Sequence, residues 1–174
     1  MSNLDIYCVT NKILSQLDKT EYNIGWVGKE SPPSNYISCN SGDNIFYKEK
    51  FYSELTFQYW YWKNMLDLDN SNWIGFCQKR RFWVKPDIKN DDILRDNLGN
   101  FLLDNIDKKI ENYESFICEP IRISGAKKIK IIKRGWRNLI MDPTIIFKPS
   151  KETISLHFDM HHGYKNLDKA IKLL

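Results

Sequence analysis

The chain has 174 residues, 42% of them hydrophobic and 14% aromatic, and this composition predicts a single folded domain with its own core. The net charge of +4 is too small to indicate a nucleic-acid-binding protein by itself, although it suits a protein that binds anionic ligands or lies near an anionic membrane. The four cysteines lack CxxC spacing, which argues against a zinc finger and predicts reduced, buried thiols. We expect a soluble cytoplasmic protein because we find no signal peptide and no apolar run of about 20 residues.

The first half of the chain alternates predicted strands with a predicted helix. Residues 4–12 form a short, apolar and β-branched run that predicts a buried first strand, and 24–27 predict a second. A turn cluster at 40–44 precedes a helix over 50–65, whose apolar residues recur at steps of three and four. Residues 72–77 predict the next strand.

The second half is predicted to continue this alternation. Its elements are a helix over 91–112, a strand over 114–123, an edge strand or hairpin around 128–131, a strand over 144–150, and a helix over 165–174 with Asn166 as its N-cap. Strands that alternate with helices indicate an α/β fold with a mostly parallel sheet. Ligands of such sheets bind at the carboxyl ends of the strands.

Lys79, Arg80 and Arg81 follow the predicted strand 72–77 and cannot all face a core. Guanidinium groups match phosphate oxygens in a bidentate way, so these residues could clamp a diphosphate. They could equally form a solvated loop whose cations pair with surface carboxylates. The pattern alone leaves both interpretations open.

Three polar residues between the predicted strands have a structural and a functional interpretation. Glu54 suits the first turn of a helix, where the macrodipole favours a carboxylate, or could point into the ligand crevice as a base or a sugar-hydroxyl acceptor. Asp43 and Asn44 suit a turn, or could hold a ribose or a base.

Two motifs raise the question of a divalent metal. Asp67 and Asp69 form a DxD sequence, but they precede a predicted strand and are better explained as a solvated or capping loop. His157 and His161 have the spacing of a helical metal pair, yet the glutamate of a metallopeptidase motif is absent. We therefore expect no dedicated metal site, and Mg²⁺ or Mn²⁺ stays open as a cofactor.

The segment 127–137 is the best case for a nucleic-acid interface, because it contains six cations and Trp136. No nucleic-acid-binding motif accompanies it, and a solvated edge strand explains it more simply. Nucleic acid is therefore not the favoured partner.

Three segments together resemble a bacterial family of glycosyltransferase-like domains that is known from capsular and exopolysaccharide gene clusters and long catalogued as a domain of unknown function. They are DIYCVTNK (5–12), SGDNIFYKEKFYSELTFQYWYWKN (41–64) and WIGFCQKRRFW (73–83). HHGYKNLDKAI (161–171) resembles a later histidine-containing segment of that family. Two departures are the replacement of the family's His-Tyr by Gln78-Lys79 and an early end of the chain, which implies a C-terminally shortened member.

The resemblance implies a single-domain nucleotide-diphospho-sugar transferase of the GT-A type, residues 1–174, which transfers a sugar from a nucleotide-sugar donor to a glycan or lipid-linked acceptor. It also implies a cytoplasmic enzyme of surface-polysaccharide biosynthesis that associates peripherally with the inner membrane face. By this resemblance Thr10 and Asn11 would contact the nucleotide, and Asp43 and Asn44 would bind the ribose or the sugar. Arg80 and Arg81 would neutralise the diphosphate. Glu54 would be the catalytic residue, and His161 or His162 would make a further contact with the phosphates. A non-catalytic polyanion-binding domain and an inactive nucleotide-sugar-binding remnant are the alternatives.

Overall fold

The computed structural model describes residues 4–69, 72–86, 88, 95–107, 112–119 and 127–172. The chain forms two compact units, Met1–Ser115 and Phe116–Leu174, which are described separately.

The first unit is built on a four-stranded sheet in which all neighbouring strands are parallel. The strands are β1 (Leu4–Thr10), β2 (Asn23–Trp26), β3 (Ile37–Ser38) and β4 (Trp73–Gln78), in the spatial order β3-β2-β1-β4. The predicted α/β class and parallel sheet are confirmed. This strand order places the first strand beside the fourth, which is where a doubly wound sheet reverses direction and opens a crevice.

The register brings the carboxyl ends of the strands to one edge of the sheet. Val9 in β1 lies opposite Gln78 in β4, and Thr10 lies opposite Trp26 in β2. The residues that follow these three strands therefore meet at the same edge, which is called the carboxyl edge below.

The predicted helix over 50–65 is confirmed, with a break near its start. A 3-10 turn (Phe46–Lys48) leads into α1 (Glu49–Tyr52), and α2 (Leu55–Asn64) follows. Between the two helices Ser53 adopts a left-handed φ of 50°, which a residue with a side chain adopts at an energetic cost.

Helix α2 covers one face of the sheet with aromatic side chains. Phe57, Trp60 and Tyr61 are buried against Tyr7 and Val9 of β1. Because successive residues of a strand face opposite sides, the residues between them face the other side of the sheet. There Cys8 and Ile24 pack with Leu17, Trp26 and Tyr36.

The cysteines are reduced, but they are not all buried. Cys8 and Cys39 are buried and Cys77 is half-buried. Cys118 was predicted to be buried within an apolar strand, and it is exposed. The prediction for Cys118 was wrong because residues 114–119 do not form a strand, so no sheet covers its side chain.

The remaining predictions for residues 91–123 are also wrong where the structure describes them. Instead of an α-helix over 91–112 there is a 3-10 helix, Arg95–Phe101, which Asn97 interrupts with non-helical dihedral angles. Residues 102–107 are not helical, and the predicted strand over 114–123 is absent from 114–119. Residues 91–94, 108–111 and 120–123 lie outside the described part.

The regular structure of the second unit is helical over its described residues, and all of it lies between residues 128 and 171. Its helices are α3 (Lys128–Arg134), α4 (Trp136–Met141), α5 (Ile154–His162) and α6 (Asn166–Ile171), with 3-10 turns at Pro143–Ile146 and Pro149–Lys151. The strands predicted around 128–131 and over 144–150 are therefore wrong. Ile131, Ile145, Leu156 and Met160 form the core of this unit, and these four residues come from three different elements.

The terminal helix was predicted correctly, but its N-cap was not. Helix α6 begins at Asn166, whose side-chain amide donates to the carbonyl of His162 (2.7 Å) instead of accepting from the helix. The described part of the chain contains no helix whose length and hydrophobicity would allow it to cross a membrane.

Candidate functional site

The chain turns sharply where β1 ends, and Thr10 holds this turn. Its hydroxyl donates to the carbonyl of Lys12 (2.7 Å) and accepts from the Lys12 N–H (3.0 Å). Thr10 itself is only 2% exposed, so its side chain is committed to the turn. The turn places Asn11 and Lys12, both exposed, at the carboxyl edge. Of the predicted nucleotide-contacting pair, Asn11 is the residue that is accessible.

A second tight turn follows β4 and carries two cations at its tip. The N–H of Gln78 donates to the carbonyl of Arg81 (3.1 Å), and the N–H of Arg81 donates to the carbonyl of Gln78 (2.9 Å). Lys79 and Arg80 are the two residues between these hydrogen bonds. The Lys79 ammonium donates to Oδ1 of Asn11, which ties the turn after β4 to the turn after β1.

The two turns border a groove of about 640 Å³. Its cationic lining comes from Lys12, Lys79 and Arg80, and its apolar lining includes Phe82 and Leu98. Arg81, the second predicted diphosphate ligand, is exposed and does not line this groove.

The cations of the groove form no ion pair with another described residue. Ion pairs in that part of the chain are Lys85–Asp104 and Lys151–Asp142, and none involves a cation of the groove. The pKa of Lys79 is lowered, first by burial and then by repulsion from Lys12 and Arg80. The repulsion comes from two neighbouring cations, Glu49 offsets part of it, and a bound anion would relieve the remainder.

Glu54 lies beside the carboxyl end of β4. It is the N-cap residue of α2, directly after the strained Ser53, and its Oε1 accepts a hydrogen bond from Nε2 of Gln78 (2.9 Å). Gln78 is thus a residue that the sequence did not single out as a ligand or partner, and it fixes the orientation of the Glu54 carboxylate.

Asn64 anchors the loop that contains Asp43. Its Oδ1 accepts from the N–H of Asp43 (3.1 Å), and its amide donates to the carbonyl of Asp43 (2.8 Å). Gly42 is required at this contact, since it has a φ of 63° and a Cβ there would lie 2.2 Å from Oδ1 of Asn64. The anchoring role of Asn64 was missed, because it joins residues 21 positions apart.

The side chains of Asp43 and Asn44 differ in how far they are engaged. The amide of Asn44 donates to the carbonyl of Gly42 (2.9 Å), and its Oδ1 accepts from the N–H of Phe46 (3.1 Å), so both ends serve the loop. Asp43 is exposed, and its Oδ1 accepts from the hydroxyl of Tyr59 (3.2 Å). Its carboxylate is therefore the more accessible of the two predicted ligands.

His161 and His162 lie on α5 in the second unit. Their rings pack against neighbours on the same helix, His161 with His157 at 4.8 Å and His162 with Phe158 at 4.4 Å between centroids. Burial lowers the pKa of His161, and repulsion from Lys130 adds to the effect. Their predicted contact with phosphates stays a prediction.

The DxD sequence has a structural role in the described chain. Oδ1 of Asp67 accepts from the N–H of Asp69 (3.0 Å) in the loop that leads into β4, at the end of the sheet opposite to the carboxyl edge. Among the described residues, histidine, cysteine and acidic side chains do not form a group of three that could hold a metal ion.

Comparisons with known proteins identify a family but no characterised relative. No curated protein and no solved structure gives a significant match to the chain. A family model described as a domain of unknown function, DUF4422, matches residues 5–174, which include both units. The chain therefore belongs to the DUF4422 family.

Proposed function

We propose that the protein is a glycosyltransferase, with a GT-A type fold, that binds the diphosphate of a nucleotide-sugar donor at the carboxyl edge. The observation that carries the proposal is a set of three cations, Lys12, Lys79 and Arg80, which form no ion pair with a described residue and lie at the position where doubly wound sheets bind ligands. The sugar and the transfer reaction rest on the resemblance of three sequence segments to glycosyltransferase-like domains. The acceptor in this proposal is a glycan or lipid-linked sugar of surface-polysaccharide biosynthesis, made at the cytoplasmic face of the membrane.

The groove suits the leaving group of such a reaction. When the bond between the sugar and the diphosphate breaks, negative charge develops on the diphosphate oxygens. Fixed cations stabilise that charge most effectively in a site that needs no reorganisation. Lys79 meets this condition because its ammonium group donates a hydrogen bond to Asn11, and because it lies on a two-residue turn that two backbone hydrogen bonds hold together. Arg80 adds a guanidinium group that can bind two phosphate oxygens at once.

Glu54 is the proposed group for orienting the sugar or accepting a proton from the acceptor hydroxyl. Gln78 holds its carboxylate through one oxygen at 2.9 Å, which leaves the other oxygen without that constraint. A neutral amide in this position orients the carboxylate without adding a competing charge. The relatives' histidine at this position, as the resemblance implies, could exchange a proton with Glu54, whereas Gln78 cannot.

Binding to nucleotides tests the first half of the proposal. UDP and GDP, which carry a diphosphate, and CMP, which carries one phosphate, are titrated into the full chain by calorimetry. A ligand at about 100 Kd should stabilise the protein by about 2.7 kcal/mol in thermal unfolding. Arg80→Met should weaken diphosphate binding about tenfold to a hundredfold, as expected for one charged hydrogen-bonding group. Arg81→Met is the matched control, because this neighbouring arginine does not line the groove, and we expect less than a threefold change.

Three results would contradict the proposal. Equal losses in the two arginine variants would show that the groove does not select the ligand. Donor hydrolysis and transfer are then assayed over a panel of nucleotide-sugars, with Glu54→Gln as the catalytic variant. Tight nucleotide binding without turnover of any donor would reduce the protein to an inactive binding domain, and stabilisation by oligonucleotides alone would replace the proposal with a polyanion-binding function.

A further inference from the structure

The second unit exposes apolar and basic side chains together on α3 and α4. Residues 127–141 contain six lysines and arginines and no acidic residue. The same segment carries five large apolar side chains that are between 50% and 75% exposed, namely Ile129, Ile132, Trp136, Ile140 and Met141. These five residues are called the apolar strip below. A folded protein rarely exposes so many large apolar residues within 13 positions without a partner for them.

The geometry of α3 separates a buried face from an exposed one. Ile131 is 1% exposed and packs into the core of the unit. At 100° per residue, Ile129 and Ile132 lie together on a different side of the helix from Ile131, with Lys128 and Lys133 at the two borders of that side. The lysine stems can therefore lie beside the apolar strip while their ammonium groups reach a polar layer.

Helix α4 repeats this arrangement. Leu139 packs against the core, whereas Trp136 and Ile140, which are four residues apart and so share a face, are exposed. The guanidinium of Arg137 lies 5.2 Å from the Trp136 ring centroid, so a cation accompanies the indole. Indole rings favour the interface between water and hydrocarbon, because one edge is polar and the rest is apolar.

The charge of the segment decides which partner fits. A second copy of the chain would bring two sets of six cations together, which is unfavourable. Nucleic acid would use the cations but not the strip, because bases stack on aromatic rings and four of the five strip residues are aliphatic or thioether side chains. An anionic membrane surface uses both components, since its phosphates attract the cations and its acyl boundary accepts the apolar groups.

We propose that the apolar strip and its flanking cations bind the surface of a membrane that contains anionic phospholipids. This surface lies in the second unit, and its function is independent of nucleotide binding at the carboxyl edge. Lipid binding would hold the protein where a membrane-bound acceptor is available. Each basic residue near an anionic surface strengthens binding about fivefold, so the cations alone provide a large part of the affinity.

Flotation with lipid vesicles tests the proposal on the full chain. The protein is mixed with vesicles of phosphatidylcholine alone or of phosphatidylcholine with the anionic lipid phosphatidylglycerol. We expect binding to the anionic vesicles only. Trp136→Ser with Ile140→Ser removes the apolar contribution, and Lys128→Glu with Lys133→Glu reverses two charges. Each pair should lower the partition coefficient at least about tenfold.

Matched controls are available in the first unit. Leu68→Ser removes an apolar side chain that is also exposed, and Lys19→Glu with Lys50→Glu reverses two exposed charges. Both controls should float like the original protein, and far-UV circular dichroism shows whether each variant is folded. Because the altered residues are exposed, the variants are expected to fold.

Three outcomes would overturn the proposal. Loss of binding in the charge variant but not in the serine variant would indicate a general polyanion site, and competition by RNA would support that interpretation. Conversion of a dimer into a monomer by the serine variant, seen by size-exclusion chromatography, would show that a second copy covers the strip. Unchanged flotation in both variants would place any lipid contact elsewhere on the protein.

Discussion

Gly25 allows α2 to approach the sheet, and replacing it with alanine tests how α2 is positioned. Gly25 lies in β2, and a Cβ at this residue would be 2.7 Å from Cε2 of Phe57 and 2.8 Å from two further ring atoms. Phe57 is fully buried, so its ring cannot move into solvent to make room. Gly25→Ala should therefore push α2 away from β2, and the N-terminal end of that helix carries Glu54.

The size of the effect follows from two opposing contributions. Overpacking a core usually costs about 1–3 kcal/mol. Alanine in a strand recovers about 0.5–1 kcal/mol relative to glycine, because it loses less conformational freedom on folding. The midpoints of these two ranges predict that the free energy of unfolding of Gly25→Ala falls by about 1 kcal/mol. With a urea m-value of about 2 kcal/mol per M, the midpoint of the urea transition should fall by about 0.5 M.

Urea unfolding followed by tryptophan fluorescence measures this change, since five of the six tryptophans lie in the first unit. Phe57→Leu replaces the ring that the new methyl group would contact with a smaller side chain. The double variant should be more stable than the sum of the two single changes predicts, with a coupling energy of about 1 kcal/mol. An alanine variant as stable as the original, or strictly additive changes, would refute the packing of Phe57 on Gly25.

Other parts of the structure give three further predictions. Asn64→Ala removes both hydrogen bonds to the backbone of Asp43 and should lower the free energy of unfolding by about 1–3 kcal/mol, measured in urea. The hydrogen bond from Lys151 lowers the pKa of Asp142 from its ordinary value of 3.8 to about 2. The ionised Asp142 carboxylate therefore stabilises the folded state above pH 4, and this contribution is lost as the pH falls towards 2. Asp142→Asn should therefore be less stable than the original at pH 6 and equally stable near pH 2, and a constant difference would contradict this. A thiol reagent should modify Cys118 first and reach the two buried cysteines only in urea, because burial also raises the pKa of Cys39 to about 11.

The sheet and its first helices could be predicted because their hydrophobic pattern matches burial. The last five residues of β1 are all buried, and the strand therefore appears in the sequence as a short continuous apolar run. The steps of three and four residues in 50–65 correspond to a helix that covers one face of the sheet. In both cases local propensity and tertiary packing favour the same structure.

The second unit could not be predicted in this way because most of the apolar residues that the structure describes in it are exposed. The alternation of lysine and isoleucine over 128–131 is typical of a strand, yet Ile129 is exposed and Ile131 is buried on a helix. A pattern shows the period of an element only when its apolar residues share one environment. Pro143 and Pro149 each begin a 3-10 turn and end any strand over 144–150.

The site shows the same division between local and long-range information. That the cations after β4 lie outside the core could be predicted, since three consecutive charges cannot all be buried. The commitment of Thr10 to its turn and of Gln78 to Glu54 could not be predicted, because a hydrogen-bond partner depends on how distant segments pack.

The two-residue turn after β4 has a consequence for how a ligand would bind. Its two backbone hydrogen bonds restrict the conformation of the chain between Gln78 and Arg81. A flexible loop loses backbone entropy when it binds an anion. In this turn that entropy is already lost when the protein folds, so it does not oppose binding. Lengthening this turn by two glycines would keep every charge and still weaken binding.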